Sequence, residues 1–267
     1  MLLLEPPTAD AAALHQQLLD GTYPRPFVVD DGQQRFLYFN VSLMQSAMAI
    51  AAPARLELRY TQQMMAFLLF VPRPLRVWMI GLGGGSVVKF CAEKLPDTRF
   101  TVFEINPDVI ALREIFCLPP DGPTLDIVEA DGLSALAAAE PGIEVLLIDA
   151  FGPLGFAPGF SDPVFIGRTY EKLAAQGVMV INLAGERSSY RRLIDTVREV
   201  FDGQVLLMPV AEDGNHLLFA FRDPVFEPRW RKIHHLALEQ RARFGLDFPA
   251  FAQALERAAK QRLHLAL

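Results

Sequence analysis

Four glycines within five residues are the first feature of the sequence that could do chemistry. They lie in the stretch VWMIGLGGGSVVKF, between an apolar run and an expected helix, and they are Gly81, Gly83, Gly84 and Gly85. Without Cβ atoms they let a ligand lie directly against the main chain, and a helix that begins near Ser86 would point free N–H groups at it. Ser86 stands where a dinucleotide fingerprint requires glycine, and the Gly-Lys-Ser/Thr ending of a phosphate-binding loop is absent.

Three acids follow at the ends of later apolar runs. Glu104, in TVFEINP, comes about twenty residues after the glycines, where an acid accepts hydrogen bonds from both hydroxyls of a ribose. Asp131, followed by Gly132 in VEADGL, could accept a hydrogen bond from the exocyclic amine of adenine. Asp149, in LLIDAFGP, would face the centre of the cleft. Glu104 also has a structural interpretation as a surface acid, and Asp149 has one as a cap of the following loop, while Asp131 is a weak signal when taken alone. Taken together, they predict a site for an adenosine that carries a cationic sulfur substituent.

These residues need a sheet whose strand ends meet at one edge. Five apolar runs alternate with helix-like segments, which predicts a parallel sheet covered on both faces. The runs span residues 75–81, 99–105, 124–130, 144–150 and 177–183. The helix-like segments span residues 86–95, 107–116, 132–139, 163–175 and 188–201.

The two ends of the chain complete the predicted fold. QVLLMPVAEDGNHLLFAFR has two strand-like runs around Asp213-Gly214, which predicts an antiparallel hairpin. A parallel sheet finished by such a hairpin is typical of transferases that use a nucleoside sulfonium. We therefore predict an α/β fold with a class I methyltransferase-like (Rossmann-like) seven-stranded sheet. After Pro228 we expect one or two amphipathic helices.

The N-terminal part of the sequence does not show the alternation of strands and helices that the later part shows. Two short strands are expected around Asp31-Gly32, because this pair favours a tight hairpin turn. A helix is expected over residues 56–71, before Pro72 and Pro74. We predict a small β-hairpin element over residues 1–55 and a nucleoside-binding domain with a helical tail over residues 56–267.

Composition limits the classes of function. The formal net charge is −6 without a basic stripe, so we expect no nucleic-acid partner. The two cysteines, Cys91 and Cys117, have apolar neighbours and predict buried, reduced thiols in a cytoplasmic protein. The five histidines show no metal-ligand spacing, so we expect no metal. We expect no membrane span and no signal peptide either.

From about Phe27 to Arg222 the sequence resembles the spermidine synthase (polyamine aminopropyltransferase) family. MIGLGGGS resembles the family's I-G-G-G-D-G-G, and DAFGPLGFA, which starts at Asp149, resembles its D-S-S-D-P-x-G-P-A. The resemblance implies that Glu104 binds ribose and that Asp131 lies beside adenine. It also implies that the donor is decarboxylated S-adenosylmethionine, and that an amine attacks the carbon next to sulfur and releases methylthioadenosine.

The sequence departs from the family at the acceptor side. Gly152 stands where the family has its catalytic acid, and Gly84 or Gly85 replaces the acid of the loop. The family's Y-H-E appears as Tyr-Thr-Gln, starting at Tyr60. Asp149 then becomes the catalytic candidate, while Gln45 and Tyr60 are candidates for lining the acceptor pocket. Two further acids could replace the missing base, and they are Asp162 and Glu186.

Three functional hypotheses follow. The first is an aminopropyltransferase-like enzyme that uses decarboxylated S-adenosylmethionine and a small amine. The second is a methyltransferase that uses intact S-adenosylmethionine on an unknown methyl acceptor. The third is a non-catalytic relative that binds a nucleoside, a hypothesis that Gly152 favours. By resemblance we expect a homodimer whose contact is the N-terminal hairpin.

Overall fold

A computed structural model describes residues 10–152, 155–156, 159–185, 187–210 and 214–265. From residue 10 onward, the described N-terminal part contains helix α1 (Ala11–Leu19) and the strands β1 (Phe27–Asp30), β2 (Gln34–Asn40) and β3 (Leu43–Ala49). The strands form an antiparallel sheet in the order β1-β2-β3.

The predicted turn is present between β1 and β2, where Gly32 has a φ of +88°. Two elements of this part, α1 and β3, were not predicted from the sequence. LMQSAMA, the sequence of β3, has neither β-branched residues nor a clear polar–apolar alternation, so propensity alone does not identify it as a strand.

The larger sheet contains the five predicted parallel strands. They are β4 (Arg76–Ile80), β5 (Arg99–Glu104), β6 (Leu125–Glu129), β7 (Ile143–Ile148) and, after the short pair β8 (Phe151–Gly152) and β9 (Gly155–Phe156), β10 (Leu173–Leu183). The C-terminal strands β11 (Val205–Pro209) and β12 (His216–Phe221) pair antiparallel with each other, and β12 pairs antiparallel with β10. The order is β11-β12-β10-β7-β4-β5-β6. The predicted seven-stranded mixed sheet is therefore confirmed.

Helices cover both faces of this sheet. They are α2 (Arg59–Met64), a 3-10 helix (Met65–Leu69), α3 (Ser86–Lys94), α4 (Pro107–Ala111), α5 (Gly132–Ala138), α6 (Pro163–Lys172), α7 (Arg187–Val200), α8 (Trp230–Phe244) and α9 (Phe248–Leu265). Neighbouring residues of β7 belong to opposite cores. Val145 and Leu147 pack with α3, α8 and α9, whereas Leu146 and Ile148 pack with α6 and α7. This explains why the strand is apolar at every position from Val145 to Ile148.

Three predicted helices were too long. Residues 56–71 form α2 followed by a 3-10 helix instead of one helix. The segment predicted as helical over 107–116 leaves the α-helix after Ala111, because the N–H groups of Leu112 and Arg113 bond to carbonyls three residues back. Residues 173–175, predicted as helix, belong to β10. The two helices expected after Pro228 are α8 and α9, as predicted.

A small apolar cluster joins the N-terminal sheet to the rest of the protein. Val28, Leu37 and Met48 of this sheet pack against Leu112 and Phe116, which follow α4. The division of the chain at residue 55 stays a prediction.

Two expectations about the whole chain can be compared with the described residues. Cys91 is buried as expected, but Cys117 is exposed, because it follows α4 in a turn with a φ of +54°. Over the described ranges, no helix combines the length and the apolar character needed to cross a membrane.

Candidate active site

A cavity of about 520 Å³ lies at the carboxyl ends of β4, β5, β6, β7 and β10, and β3 and α2 contribute to its wall. Eight of the predicted site residues line it, namely Gln45, Tyr60, Gly81, Gly83, Glu104, Asp131, Gly132 and Asp149. The elements therefore bring together residues from both sides of the sheet's topological switch point, where open α/β sheets bind their ligands.

The glycine loop connects β4 to α3 and packs closely on its surroundings. Gly81 has a φ of +95°, and a Cβ there would lie 2.1 Å from the carbonyl oxygen of Asp149. Gly84 and Gly85 are not part of the cavity lining among the described residues. A Cβ on Gly84 would lie 2.7 Å from Ser46 Oγ, and one on Gly85 would lie 2.7 Å from the side chain of Leu118. These two glycines allow the loop to pack against β3 and against the turn after α4.

Glu104 fixes the loop from the end of β5. Its Oε2 accepts a hydrogen bond from the Leu82 N–H at 2.9 Å, and its Oε1 accepts one from the Asn106 N–H at 2.8 Å. Both oxygens keep a free lone pair in this arrangement, since a carboxylate has about four acceptor positions. The half-buried carboxylate therefore lies at the cavity wall in a fixed orientation, able to accept two hydroxyl groups.

Asp131 is the N-cap of α5. Its carboxylate accepts hydrogen bonds from the main-chain N–H groups of Leu133 and Ser134, and from Ser134 Oγ at 2.8 Å. It also lines the cavity beside Gly132. The structure thus gives this acid the capping role, and its contact with adenine stays a prediction.

Asp149 directly follows β7, and it is half-buried at the cavity wall. Its Oδ2 accepts a hydrogen bond from the Tyr60 hydroxyl at 3.1 Å, and its Oδ1 accepts one from Asn182 Nδ2 at 2.9 Å. Asn215 Nδ2 in turn donates to Asn182 Oδ1 at 3.1 Å, which orients the Asn182 amide. Burial raises the pKa of Asp149, and the hydrogen bonds from Asn182 and Tyr60 oppose that rise. A half-buried carboxyl with a raised pKa at a cavity wall suits a group that takes up a proton.

Sequence reasoning missed Asn182 and Asn215. Both line the cavity, and Asn182 is only 2% exposed. A signal for Asn182 was present, because it is a polar residue inside the apolar run GVMVINL, where a buried amide needs a partner. Asn215 follows the predicted hairpin turn, and nothing in its position in the sequence distinguishes it from an ordinary turn residue.

The charged side chains of the described cavity lining are all acidic. Among the described residues that line the cavity, three are carboxylates, Glu104, Asp131 and Asp149, and none is Lys, Arg or His. The rest of the wall is largely apolar, with large side chains at Phe39, Met44, Phe103, Ile105, Leu133 and Phe160. Such a cavity favours a ligand with positive charge and an apolar or aromatic part.

Of the two other candidate bases, the structure describes only Asp162, which is not part of the cavity lining. Asp162 is exposed and caps α6, where it accepts a hydrogen bond from the Val164 N–H at 2.8 Å. Glu186 lies outside the described residues, as does Asp213 of the predicted turn. Gly152 pairs with Gly155 in the short β8–β9 hairpin. In the part of the chain that the structure describes, no three His, Cys, Asp or Glu residues come together as a metal site.

Comparisons with known proteins found relatives of the chain by sequence and by fold. No family model matches the chain. The chain is 34% identical over 239 residues to a polyamine aminopropyltransferase of Chromobacterium violaceum, and the match covers 89% of this chain and 92% of that protein.

Two solved structures share the fold. The structure of a probable spermidine synthase from Corynebacterium glutamicum has a TM-score of 0.67 at 20% identity, covering 86% of this chain and 91% of that one. The structure of human methyltransferase-like protein 13 in complex with SAH has a TM-score of 0.60 at 22% identity, covering 76% of this chain and 93% of that one.

Proposed function

The chain belongs to the polyamine aminopropyltransferase family, and on that premise we propose that it transfers an aminopropyl group from decarboxylated S-adenosylmethionine to a small amine. The observation that carries the proposal is the charge of the cavity, which has three carboxylates and no basic residue among its described lining. This arrangement suits a donor with two positive charges, the sulfonium and the ammonium of its arm.

The same observation disfavours the methyltransferase alternative. The arm of intact S-adenosylmethionine carries a carboxylate, and decarboxylation removes this carboxylate. Near Asp149 at the cavity wall, the donor's carboxylate would meet a like charge instead of a cation. The fold shared with methyltransferase-like protein 13 makes methyl transfer the second candidate, but the described lining offers no charged partner for the donor's carboxylate.

We assign the nucleoside to the glycine loop and the strand ends. Gly81 and Gly83 let the donor approach the main chain, and Glu104 accepts hydrogen bonds from the ribose hydroxyls. Asp131 and Gly132 lie at the adenine end, with Phe103 and Leu133 supplying apolar surface for the base.

We assign the reaction to the part of the cavity around Asp149. The amine nitrogen attacks the carbon next to the sulfonium, so that a C–N bond forms and the C–S bond breaks. The electron pair of that bond stays on sulfur and gives neutral methylthioadenosine. The amine loses its surplus proton to Asp149, which Tyr60 and Asn182 hold in place. Gln45 lies on the same wall and would contact the amine's chain. Orientation of the two reactants supplies much of the acceleration.

A product analysis tests this function. The protein would be incubated with decarboxylated S-adenosylmethionine and a panel of amines, and separately with S-adenosylmethionine and methyl acceptors. We expect methylthioadenosine together with an amine that is heavier by one aminopropyl group, as measured by mass spectrometry. S-adenosylhomocysteine as the main product would support the methyltransferase instead. Binding of the nucleoside without any turnover would support the non-catalytic alternative.

A homodimer and a cytoplasmic location also stay proposals. Two large apolar side chains at the N-terminal sheet, Val41 and Met44, are 49% and 41% exposed, which supports a contact there. Light scattering at micromolar concentration would give the mass of a dimer, whereas a monomer would refute the assembly. Cell fractionation of the native host would test the location.

A further inference from the structure

Lys89 is a buried cation that the proposed chemistry does not use. It lies on α3, directly behind the glycine loop, and is only 4% exposed. Its Nζ donates to the carbonyl oxygen of Gly84 at 3.0 Å, to that of Phe116 at 2.7 Å, and contacts Met48 Sδ at 3.0 Å. These partners belong to the loop, to the turn after α4 and to β3. One ammonium group therefore ties together three segments that are distant in sequence.

This arrangement is energetically unusual for a lysine. All three partners are uncharged, and the Nζ also lies 5.7 Å from the centre of the Phe116 ring. Burial lowers the pKa of Lys89 to about 8, and the nearby Cys117 opposes this shift. A second cleft borders Lys89, and its charged or titratable residues from the surrounding elements are Arg55, Glu57, Glu93, Lys94, Cys117 and Asp247. Among the described residues, none of these acids lies within salt-bridge distance of Lys89.

The ammonium has three N–H groups for three partners, while a neutral amine has only two. Loss of the proton therefore removes one donor and weakens the two bonds that remain, because hydrogen bonds from charged donors are roughly twice as strong. The Gly84 carbonyl is the partner inside the glycine loop, three residues beyond Gly81 at the cavity wall.

We propose that Lys89 is a positioning residue whose protonated side chain holds the glycine loop in the shape that binds the donor nucleoside. The inference deepens the proposed function and rests on it. Donor affinity should then decrease as Lys89 loses its proton, although Lys89 itself does not line the cavity among the described residues.

Calorimetric titration with methylthioadenosine between pH 7 and pH 9 tests this inference, since the probe has no group that titrates in this range. If only the protonated state binds, the dissociation constant rises about tenfold between pH 7 and pH 9. Lys89→Arg keeps a charge that does not titrate, so its affinity should stay constant with pH. Lys89→Met should bind weakly at every pH. Lys94→Met is the matched control, because Lys94 is a partly exposed lysine on the same helix that pairs with Glu93. This variant should follow the wild-type profile.

Thermal unfolding separates this effect from a general loss of structure at high pH. Because the folded-state pKa of Lys89 is depressed, the unfolded chain keeps the proton in the pH range where the folded chain loses it. The contribution of Lys89 to stability therefore rises with pH above about 8. Relative to Lys89→Met, the wild type should gain stability over the range in which it loses affinity. Opposite signs of this kind are not expected from partial unfolding.

Two results would overturn the inference alone. One is a wild-type dissociation constant that is the same at pH 7 and pH 9, and the other is a Lys89→Met variant that keeps the wild-type pH profile. Failure of methylthioadenosine to bind at pH 7 would instead refute the proposed function, and the inference with it.

Discussion

Replacement of Asp149 by asparagine removes the proposed proton acceptor while keeping its shape. In the wild type, the Asp149 oxygens accept from Tyr60 and from Asn182. Asn182 is oriented by Asn215, so its amide continues to donate, and the new carbonyl oxygen would accept this bond. The new NH2 group then faces the Tyr60 hydroxyl, which can turn and accept. We therefore expect the local structure to persist and the charge alone to be lost.

The expected loss of turnover follows from the role of a general base. Such a group contributes about 10²- to 10⁴-fold to the rate, which corresponds to about 3 to 5 kcal/mol of transition-state stabilisation. Methylthioadenosine release, measured with saturating donor and amine, should fall by that factor in Asp149→Asn. The affinity of Asp149→Asn for methylthioadenosine should differ from that of the wild type by less than about threefold, because the substitution leaves the glycine loop and Glu104 unchanged.

Asp162→Asn is the matched control for this experiment. Asp162 is exposed, and asparagine caps helices as well as aspartate does, so both stability and turnover should stay at the wild-type level. A large loss of turnover in this variant would identify Asp162 as the base. Turnover of Asp149→Asn within threefold of the wild type would refute the role that we assign to Asp149.

Asp149→Asn should also change how the stability of the folded protein depends on pH. Burial raises the pKa of Asp149, so the folded protein binds this proton more tightly than the unfolded chain does. The wild type should therefore lose stability as the pH rises from the ordinary pKa of an aspartate through that of Asp149. Asp149→Asn should lack this contribution, which chemical denaturation over a pH series would measure as a growing advantage of the variant.

Three further predictions concern the loop, the ribose site and the thiols. Glu104→Gln should weaken methylthioadenosine binding about ten- to hundredfold in calorimetry, because an amide cannot accept from both main-chain N–H groups that Glu104 serves; unchanged affinity would remove Glu104 from the site. Gly81→Ala should cost about 1–3 kcal/mol more in urea denaturation than Gly203→Ala, since both have positive φ but only Gly81 would collide with main chain; equal costs would contradict the loop geometry. A thiol reagent should label the exposed Cys117 and not Cys91, whose pKa is raised by burial, and labelling of both in the native protein would contradict the burial of Cys91.

The parts of the fold that depend on local sequence pattern could be predicted. The continuous apolar runs of β4 and β7 identify buried parallel strands, and the positions of Glu104 and Asp149 follow because they end such runs. The glycine loop was recognisable for the same reason. A buried strand and the polar residue that follows it are adjacent in the sequence. Both can therefore be predicted without knowledge of the rest of the structure.

The features that were missed depend on contacts between distant residues. Tyr60 and Asp149 are 89 positions apart, and Asn182 and Asn215 are 33 apart, so no local pattern connects them. A lysine in a helix is ordinarily expected to be exposed to solvent. Lys89 is buried because β3 and the turn after α4 cover α3. Prediction of these features requires the packing of the N-terminal sheet on the main body, and this packing includes the strand that sequence analysis did not identify.

The central claim is that the cavity accepts a donor with two positive charges, and that its described lining has no charged partner for a donor carboxylate. The most direct test is a calorimetric comparison of decarboxylated and intact S-adenosylmethionine on the wild-type protein at pH 7. We predict that the decarboxylated donor binds at least about tenfold more tightly, which corresponds to about 1.4 kcal/mol. Equal affinities, or tighter binding of intact S-adenosylmethionine, would contradict the claim.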